Sequence, residues 1–349
     1  MADKCFYAHS KENLPPDEWQ PLAEHLSNVA EMASEFSDFF GAAEWGFILG
    51  ENHDLGKGTL PWQAYLRRAN DIIDEFAQFY EGHPTHAFVG AQWLSKHSRE
   101  AGKLLAYCIA GHHGGLPNWS DVSDSALEAK LQQQYPEVMT PHSVPEFPEN
   151  LPFSSDSERF GFQLQFFVRM LFSCLVDADF LDTEASLDKM KMSWRSIYPA
   201  IDELHGKFWL NFKALRDEAD QTTEVNKQRE HVLEDCLKAA ELVPGLFSLT
   251  VPTGGGKTLA SLAFALNHAK KQEKRQVIYV IPFTSIIEQN AKVFRDMLGD
   301  DTVLEHHCNF FPDDSDWKTR LASENWDAPV VVTTNVQFFN SFYSNKPSK

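Results

Sequence analysis

The sequence predicts a helical first domain followed by an incomplete α/β domain with a parallel sheet. Early in the chain, apolar residues recur at the spacing of a helix with one buried face, as at Leu22, Leu26, Val29, Met32 and Phe36. From about residue 246, short β-branched runs alternate with helical segments, which is typical of parallel strands joined by crossover helices. We place the boundary between the two domains, 1–220 and 221–349, in the polar stretch 217–226.

The first domain is expected to be mostly helical. Apolar segments near residues 45–53, 87–94, 104–109, 160–181 and 196–219 predict its further helices. Residues 114–153 are punctuated by glycine and proline, so we expect a long excursion with one short helix over 124–134. In the second domain, strands are predicted at 246–251, 277–281 and 330–333, and helices at 258–271 and 285–298.

The charge balance of the 349-residue chain argues against a general nucleic-acid binder. With 31 basic and 50 acidic residues, its formal net charge is −19, whereas a surface that binds nucleic acid is basic. A metal site on an acidic body can nevertheless receive single phosphates, because the ion supplies the local positive charge.

The cysteines and the hydropathy pattern predict a cytoplasmic protein without a membrane segment. The five cysteines are widely spaced and form no C-x-x-C pair, so we expect free thiols rather than disulfides or a zinc ribbon. No apolar run reaches the roughly 18–20 residues that a membrane helix needs. The N-terminus has no signal-peptide pattern.

Histidines and aspartates form the chemical pattern of the first domain. Imidazole and carboxylate are the ligands that Mn²⁺, Fe²⁺, Co²⁺, Ni²⁺ and Zn²⁺ accept, and separate helices can bring such ligands to one centre. We therefore predict a metal site in which a carboxylate can bridge two ions. Its candidate ligands are His25, His53, Asp54, His83 or His86, His112, His113, and Asp177 or Asp179. The last two lie two residues apart on a helix and cannot share a face.

The order of these residues resembles the HD domain of the CRISPR-associated helicase-nuclease of type I systems, the Cas-three family. The resemblance spans about residues 20–185 and rests on His25, His53-Asp54-x-x-Lys57, His86-x-x-x-Gly90-Ala91, His112-His113-Gly-Gly and Ala178-Asp179. It implies a two-metal nuclease for single-stranded DNA whose catalytic residues are Asp54, which bridges the ions, and Lys57, which steadies a phosphate or a neighbouring ligand. It also favours His86 over His83 and Asp179 over Asp177 as ligands.

A glycine-rich loop between the predicted strand at 246–251 and the predicted helix at 258–271 points to nucleotide phosphates. The backbone N–H groups of such a loop can surround phosphates, while a lysine reaches the β- and γ-phosphates and a threonine holds Mg²⁺. The strict pattern has glycine where Val251 stands, and this departure resembles the first motif of superfamily-two helicases. The candidate ATP-binding residues are Thr253, Gly254, Gly255, Gly256, Lys257 and Thr258, with Gln228 as the candidate adenine reader.

Two later stretches resemble further motifs of the same helicases. Thr284 and Ser285 open a predicted helix and are candidate DNA-binding residues, with a plain helix cap as the alternative. Residues 332–339 resemble a strand-end motif. No D-E-x-H-like motif follows the predicted strand at 330–333, so we expect a fragment of a longer motor that by itself neither hydrolyses ATP nor unwinds DNA.

The resemblance implies an α-helical HD phosphohydrolase domain followed by a partial α/β RecA-like (P-loop helicase) domain. The implied function is metal-dependent, endo- then exonucleolytic DNA cleavage in type I CRISPR antiviral defence, coupled in the intact protein to an ATP-dependent helicase. The implied cofactors are two divalent ions (Mn, Fe, Co, Ni or Mg) and, in the intact helicase, ATP with Mg. The implied partners are single-stranded DNA, a Cascade-type RNA-guided surveillance complex and a phage-encoded inhibitor.

Two other functions use parts of the same pattern. An HD-type nucleotide phosphohydrolase has the same ligands around a small-molecule pocket, although the helicase-like second half argues against it. A DNA translocase could instead carry the HD half as a non-catalytic scaffold, because a fold alone does not determine function. A substrate panel and a test of metal-dependent cleavage distinguish the three.

Overall fold

The computed structural model describes residues 6–80, 82–121, 126–188, 195, 198–308, 317–344 and 346–347. The chain forms two compact units, one of residues 1–193 with 343–349 and the other of residues 194–342. The helix Ile201–Glu218 belongs to the second unit, because its Leu204 and Phe208 are buried in the core of that unit. The observed division therefore precedes the boundary at residue 220 that the polar stretch predicts.

Helices make up most of the first unit, as expected. In its described part these are α1 (Leu22–Asp38), α2 (Ala43–Asn52), α3 (Leu60–Arg68), α4 (Ala87–His97), α5 (Ala101–Gly111), α6 (Leu127–Leu131) and α7 (Phe160–Leu187). The apolar face of α1 is buried at Val29 and Ala33, which join Leu105 and Leu171 in one core. Two short antiparallel strands, β1 (Tyr7–His9) and β2 (Gln20–Pro21), precede α1.

The excursion after α5 contains the short helix α6 within the range expected at 124–134. Its Leu127 is fully buried and anchors it to the helical core, whereas residues 122–125 lie outside the described part of the chain. Cys108, Cys174, Cys236 and Cys308 form no disulfide among the described residues, and Cys5 lies outside those residues. Among the described helices, none combines the length and the apolar character that a membrane crossing requires.

The second unit contains a parallel sheet of β3 (Val277–Ile281), β4 (Val303–His306) and β5 (Val330–Thr334) in the order β3-β5-β4. Val330 of the central strand pairs with Val277 on one side and Val303 on the other. The strand β4 was not predicted from the sequence. The accompanying helices are α8 (Ile201–Glu218), α9 (Glu224–Ala240), α10 (Lys257–Lys271), α11 (Thr284–Leu298), α12 (Trp317–Asn325) and α13 (Asn335–Tyr343).

The strand predicted at 246–251 is wrong. These residues have no regular secondary structure, and Leu246 and Leu249 are exposed. An apolar run forms a strand only where a neighbouring strand offers hydrogen-bond partners. Within the described residues, β3 pairs with β5 alone, so this run is not part of the sheet. The glycine loop is therefore followed by the predicted helix but not preceded by the predicted strand.

Candidate functional site

Helix ends and helix interiors in the first unit bring the candidate ligands together. His53 ends α2, and Asp54 follows it at the start of the 3-10 turn Leu55–Gly58. His86 directly precedes α4, and His112 directly follows α5. His25 and Asp179 project from within α1 and α7. A Cβ on Gly56 would lie 2.3 Å from His86 O, so glycine at this position lets the His-Asp turn approach His86.

One group of ligand atoms consists of His25, His53, Asp54 and Asp179. The Nε2 atom of His25 lies 3.5 Å from Asp54 Oδ2 and 3.4 Å from Asp179 Oδ1. The Nε2 atom of His53 lies 3.4 Å and 3.6 Å from the same two oxygens. The four side chains thus direct their donor atoms at one small volume.

A second group consists of Asp54, His86, His112 and His113. It uses the other oxygen of Asp54, because Oδ1 lies 3.5 Å from His86 Nε2 and 3.4 Å from His112 Nε2. His113 Nε2 lies 2.7 Å from His86 Nε2. Asp54 therefore presents Oδ2 to one group and Oδ1 to the other.

The spacing and the hydrogen bonding of these atoms both fit divalent ions. Nitrogen and oxygen ligands lie about 2.0–2.2 Å from such an ion and therefore roughly 3–3.5 Å from one another. Asp54 Oδ1 and His112 Nε2 are buried and have no hydrogen-bond partner among the described residues. Buried polar atoms are normally satisfied, so a pair left unsatisfied at ligand distance suits a cation.

Charge is concentrated at the buried centre of the site. Burial alone would raise the pKa of Asp54, yet Lys57 and the neighbouring imidazoles hold that pKa well below its ordinary value. Burial would lower the pKa of His25, but hydrogen bonds with three surrounding carboxylates outweigh it and raise the pKa to about 10. At the outer edge, burial lowers the pKa of His86 to about 3 and that of His113 to about 4. These two imidazoles are therefore neutral at pH 7.

Lys57 is held between two residues of the site. Its Nζ lies 2.7 Å from Asp54 Oδ2 and 3.4 Å from His9 Nε2, and the lysine is 3% exposed. Burial and the nearby Lys57 charge lower the pKa of His9 to about 3, so its imidazole is neutral and can accept a hydrogen bond from the lysine. Sequence reasoning missed His9, because it lies on β1 and outside the spaced histidine motifs.

A ladder of tilted ring and guanidinium contacts leads away from His86 along α3. One side of the ladder consists of residues spaced three apart on α3. The other side consists of residues spaced three apart in the segment before α4 that ends at His86. The pairs are Trp62 with His86 at 4.1 Å between ring centroids, Tyr65 with His83 at 4.3 Å, and the Arg68 guanidinium over the Tyr80 ring at 5.2 Å. His83 and Tyr80 are exposed, so the ladder runs from the metal-ligand cluster to the surface.

The glycine loop of the second unit has the backbone that phosphate binding requires. Gly254 and Gly256 have φ values of +83° and +84°, a region that glycine enters without a steric penalty. Gly256 is the N-cap of α10, and Lys257 begins that helix. Lys257 Nζ donates a hydrogen bond to Val251 O at 2.8 Å. The loop thus presents the N–H groups and the positive helix end at which anions bind.

A cavity of about 230 Å³ lies beside this loop, between α8, α9 and α10. Leu215, Gln221, Arg229 and Gly256 are among its lining residues, whereas Gln228 is not. Gln228 is exposed on α9. The structure therefore does not bring the candidate adenine reader into the cavity next to the glycine loop.

Thr284 and Ser285 lie in the first turn of α11, which is separated from the end of β3 by two residues. Phe283 occupies the cap position and makes no side-chain cap hydrogen bond, so a threonine cap does not account for this motif. Both hydroxyls stand at the carboxyl edge of the parallel sheet, the edge at which open α/β sheets bind ligands.

Comparison with known families agrees with both parts of this geometry. Residues 8–263 match the family described as "Cas3, HD domain", and residues 218–348 match "DEAD/DEAH box helicase". The chain belongs to the Cas3 family. A relative named "CRISPR-associated nuclease/helicase Cas3", from Haloferax volcanii, is 24% identical over 410 residues, with 95% of this chain and 43% of the relative covered.

Solved Cas3 structures share the fold. T. fusca Cas3 is 18% identical, has a TM-score of 0.56, and covers 96% of this chain with 43% of its own length. T. fusca Cas3-ADP is 16% identical, has a TM-score of 0.58, and covers 95% of this chain with 43% of its own length. The chain thus spans less than half the length of the Cas3 relatives it matches. The helical HD domain followed by a partial helicase domain is confirmed as the fold class.

The structure of this Cas3-family chain distinguishes the two pairs of alternative metal ligands by their positions. Asp179 lies in the first ligand group, whereas Asp177, two residues away on α7, lies in neither of the two groups. His86 lies in the second group, whereas His83 bonds Tyr65 OH at 2.8 Å. Helix phase separates the aspartates, and the turn before α4 separates the histidines.

Asp182 is a buried residue of the site that sequence reasoning missed. One turn beyond Asp179 on α7, it bonds His25 Nδ1 at 2.6 Å. Burial alone would raise the pKa of Asp182, but hydrogen bonds from His25 and Asn28 outweigh it and lower that pKa. The three-residue spacing of Asp179 and Asp182 on one helix face was the signal that could have revealed it.

Proposed function

We propose that the first unit is a two-metal nuclease that hydrolyses DNA phosphodiesters. The observation that carries the proposal is the position of the Asp54 carboxylate between the two ligand groups. Its Oδ2 faces one group and its Oδ1 faces the other. A carboxylate shared in this way can bridge two ions, and a two-ion clamp suits displacement at a phosphodiester. The ligands would be His25, His53, Asp54 and Asp179 for one ion and Asp54, His86, His112 and His113 for the other.

Some residues of the chain would bind the ions and the substrate, and others would orient the ligands. When bound, divalent ions supply positive charge that lowers the pKa of water and stabilises the charge that develops on the phosphodiester. Lys57 restrains the Asp54 carboxylate through the 2.7 Å contact and adds a cation beside the reacting phosphate. His86 and the exposed His113 form the outer edge, where the substrate would enter.

The ladder of side-chain contacts along α3 supports single-stranded DNA as the substrate. Proteins that bind single strands stack bases on aromatic side chains, and this mode of binding tolerates any sequence. Tyr80 and His83 are exposed, and Tyr65 lies between them and the metal-ligand cluster. Stacking also suits a chain with a net charge of −19, in which 50 acidic residues outnumber the 31 basic residues that could neutralise a phosphate backbone. We propose endonucleolytic cleavage first and exonucleolytic trimming afterwards.

For the second unit we propose ATP binding at the glycine loop. Thr253, Gly254, Gly255 and Gly256 would surround the phosphates, Lys257 would reach the β- and γ-phosphates, and Thr258 would hold Mg²⁺. The cavity beside Gly256 has room for a base, and its Gln221 is a better placed adenine reader than Gln228. Thr284 and Ser285 would contact DNA phosphates. In a longer protein of this family, ATP-driven translocation would deliver the strand to the nuclease.

The place of this activity in the cell is a further part of the proposal. Membership of the Cas3 family supports a role in type I CRISPR defence. A Cascade-type surveillance complex would then recruit the protein to invading DNA, and a phage-encoded inhibitor would act against it. Pull-down with a purified surveillance complex loaded on target DNA would test the recruitment. Failure of the protein to co-purify with that complex would contradict it.

Cleavage of circular single-stranded DNA by metal-stripped protein tests the nuclease proposal. We expect cutting after Mn²⁺, Co²⁺, Ni²⁺ or Mg²⁺ is added, and no cutting by Asp54→Ala. The matched control is Asp38→Ala, which removes an exposed aspartate from the end of α1. Hydrolysis of mononucleotides or cyclic dinucleotides without DNA cutting would instead support a nucleotide phosphohydrolase. No metal-dependent cutting by the folded protein would favour a scaffold.

Nucleotide binding by the second unit has a separate test. A fluorescent ATP analogue should bind the chain and lose affinity in Lys257→Ala, because the charge that contacts the phosphates is gone. Lys274→Ala, which removes an exposed lysine beyond the end of α10, is the control. Equal binding by Lys257→Ala and the parent chain would contradict the assignment of this loop.

A further inference from the structure

Asp182 is the acceptor of three hydrogen bonds at the base of the first ligand group. Its Oδ2 accepts from His25 Nδ1 at 2.6 Å and from Gln20 Nε2 at 2.6 Å, and its Oδ1 accepts from Asn28 Nδ2 at 2.7 Å. The residue is 5% exposed. Both carboxylate oxygens are therefore engaged, and the side chain is held in one orientation from three directions.

This arrangement determines which nitrogen of His25 faces the site. An ionised carboxylate only accepts hydrogen bonds, so the proton of the bond lies on His25 Nδ1. The opposite nitrogen, Nε2, faces Asp54 and Asp179 and becomes the ligand atom once its own proton is lost. A carboxylate that orients a histidine in this way fixes the tautomer and makes the imidazole a stronger metal ligand.

The other imidazoles of the site differ in whether their Nδ1 atoms make a hydrogen bond. His53 Nδ1 bonds Gly50 O at 2.8 Å, and His112 Nδ1 bonds Ile109 O at 2.6 Å. For His86 and His113, the described part of the chain offers the Nδ1 atoms no hydrogen-bond partner, and the two rings meet each other through their Nε2 atoms at 2.7 Å. Within that part of the chain, two of the three imidazoles of the second group therefore lack the Nδ1 hydrogen bond that both imidazoles of the first group make.

The first ligand group also contains more negative charge and is more deeply buried than the second. The first group contains two carboxylates, those of Asp54 and Asp179, whereas the second contains Asp54 alone. The side chains of His25 and His53 are fully buried, whereas His86 is 13% exposed and His113 is exposed. Attraction between a dication and a carboxylate is stronger where water is excluded.

From these differences we infer that Asp182 is the positioning residue for His25 and that it makes the group of His25, His53, Asp54 and Asp179 the higher-affinity of the two metal sites. The outer group would fill at higher metal concentration. This inference rests on the proposed two-metal function. It adds an order of loading and assigns a role to Asp182, Gln20 and Asn28, which contact no reacting atom.

Calorimetric titration of the metal-stripped full chain with Mn²⁺ tests the inference. The parent chain should show a tighter and a weaker binding step. Asp182→Asn should weaken the tighter step by about 10- to 100-fold, the range typical of lost outer hydrogen-bond partners of metal ligands, and leave the weaker step unchanged. His113→Ala should affect only the weaker step, which identifies the two. Asp38→Asn, the same chemical change at an exposed position on α1, should titrate as the parent.

Each alternative outcome has a distinct meaning. Unchanged binding by Asp182→Asn, or loss confined to the weaker step, would overturn the inference while leaving the two-metal proposal intact. Absence of Mn²⁺ binding by the parent chain would instead remove the proposed function itself. Circular dichroism of the metal-free variants verifies folding. If Asp182→Asn is unfolded, Asn28→Ala removes one of the three bonds to Asp182, and an unchanged tighter step in that variant would equally overturn the inference.

Discussion

Asp54 Oδ1 lies 3.4 Å from His112 Nε2, and both atoms are buried without a hydrogen-bond partner in the described part of the chain. An unsatisfied buried polar group costs about 1–3 kcal/mol, and a charged one costs more. A divalent ion of suitable size between these two atoms would satisfy both. Metal binding should accordingly stabilise the fold as well as enable chemistry.

The first prediction concerns thermal unfolding. At a metal concentration about 100 times the Kd, binding stabilises by about 2.7 kcal/mol, which corresponds to a rise in Tm of about 5–10 °C for a unit of this size. Asp54→Asn removes the shared ligand and should abolish the rise. Scanning calorimetry with Mn²⁺ and with a chelator measures the rise in Tm for the parent chain and for Asp54→Asn. An equal rise in Asp54→Asn would show that the ion binds elsewhere.

A second prediction concerns Lys57. Lys57→Met removes the cation 2.7 Å from a fully buried carboxylate, and leaving a buried charge without its partner costs about 3–5 kcal/mol. Metal-free Lys57→Met should therefore melt lower than the parent, and added Mn²⁺ should restore more stability than it adds to the parent. Nuclease activity should nevertheless fall, because the cation beside the phosphate is missing. Lys96→Met, at an exposed lysine on α4, is the control.

The third prediction is the pH dependence of metal binding. Carboxylates raise the pKa of His25 to about 10, so the stability that its proton contributes to the metal-free protein is fully present below about pH 6.5 and is lost as the pH rises through 10. A metal ion must displace this proton. Affinity for the first ion should therefore increase about tenfold per pH unit between pH 7 and 9, with one proton released.

Calorimetry in buffers of different ionisation enthalpy counts the released protons. The imidazoles of His86 and His113, with pKa values of about 3 and 4, are already neutral in this range. They should release no proton, so a proton released in the second binding step would come from His112, for which burial alone would lower the pKa but the Asp54 carboxylate raises it. Affinity that stays constant from pH 7 to 9 would contradict the charge assignment of His25.

The fourth prediction separates a strand-binding enzyme from one that acts on small phosphodiesters. Stacking of one base on an aromatic side chain contributes about 1–3 kcal/mol. Tyr65→Ala or His83→Ala should therefore raise KM for single-stranded DNA about fivefold or more, while hydrolysis of bis-p-nitrophenyl phosphate stays unchanged. Phe47→Ala, a partly exposed ring on α2, serves as the control. Equal losses on both substrates would indicate damage to the metal site instead.

The fifth prediction tests where the second unit begins. Phe208 on α8 is fully buried in the core of that unit, and truncating a buried phenylalanine to alanine costs about 3–5 kcal/mol. Phe208→Ala should therefore weaken ATP-analogue binding at elevated temperature and leave the metal-induced rise in Tm unchanged. A loss of the metal response instead would show that α8 stabilises the helical unit, as the boundary at residue 220 implies.

The sequence by itself determined the class of each unit and most of the candidate ligands. Helical periodicity, the glycine loop before a helix, and the ordered His-Asp motifs depend on neighbours within a few residues, and those neighbours are visible in a sequence. The short strand β4 and the failed strand at 246–251 mark the limit of such reasoning, because a strand exists only where a partner strand lies beside it.

Tertiary structure alone decided how the candidates are combined. His25 and Asp182 are 157 residues apart in the chain and 2.6 Å apart in space, and no local pattern encodes that contact. The orientation of the Asp54 oxygens, the choice of Asp179 over Asp177 in the ligand group, and the position of Gln221 beside the cavity likewise follow from how the helices pack. Local propensity selects the helices, but only the burial of their apolar faces against one another determines which polar side chains meet.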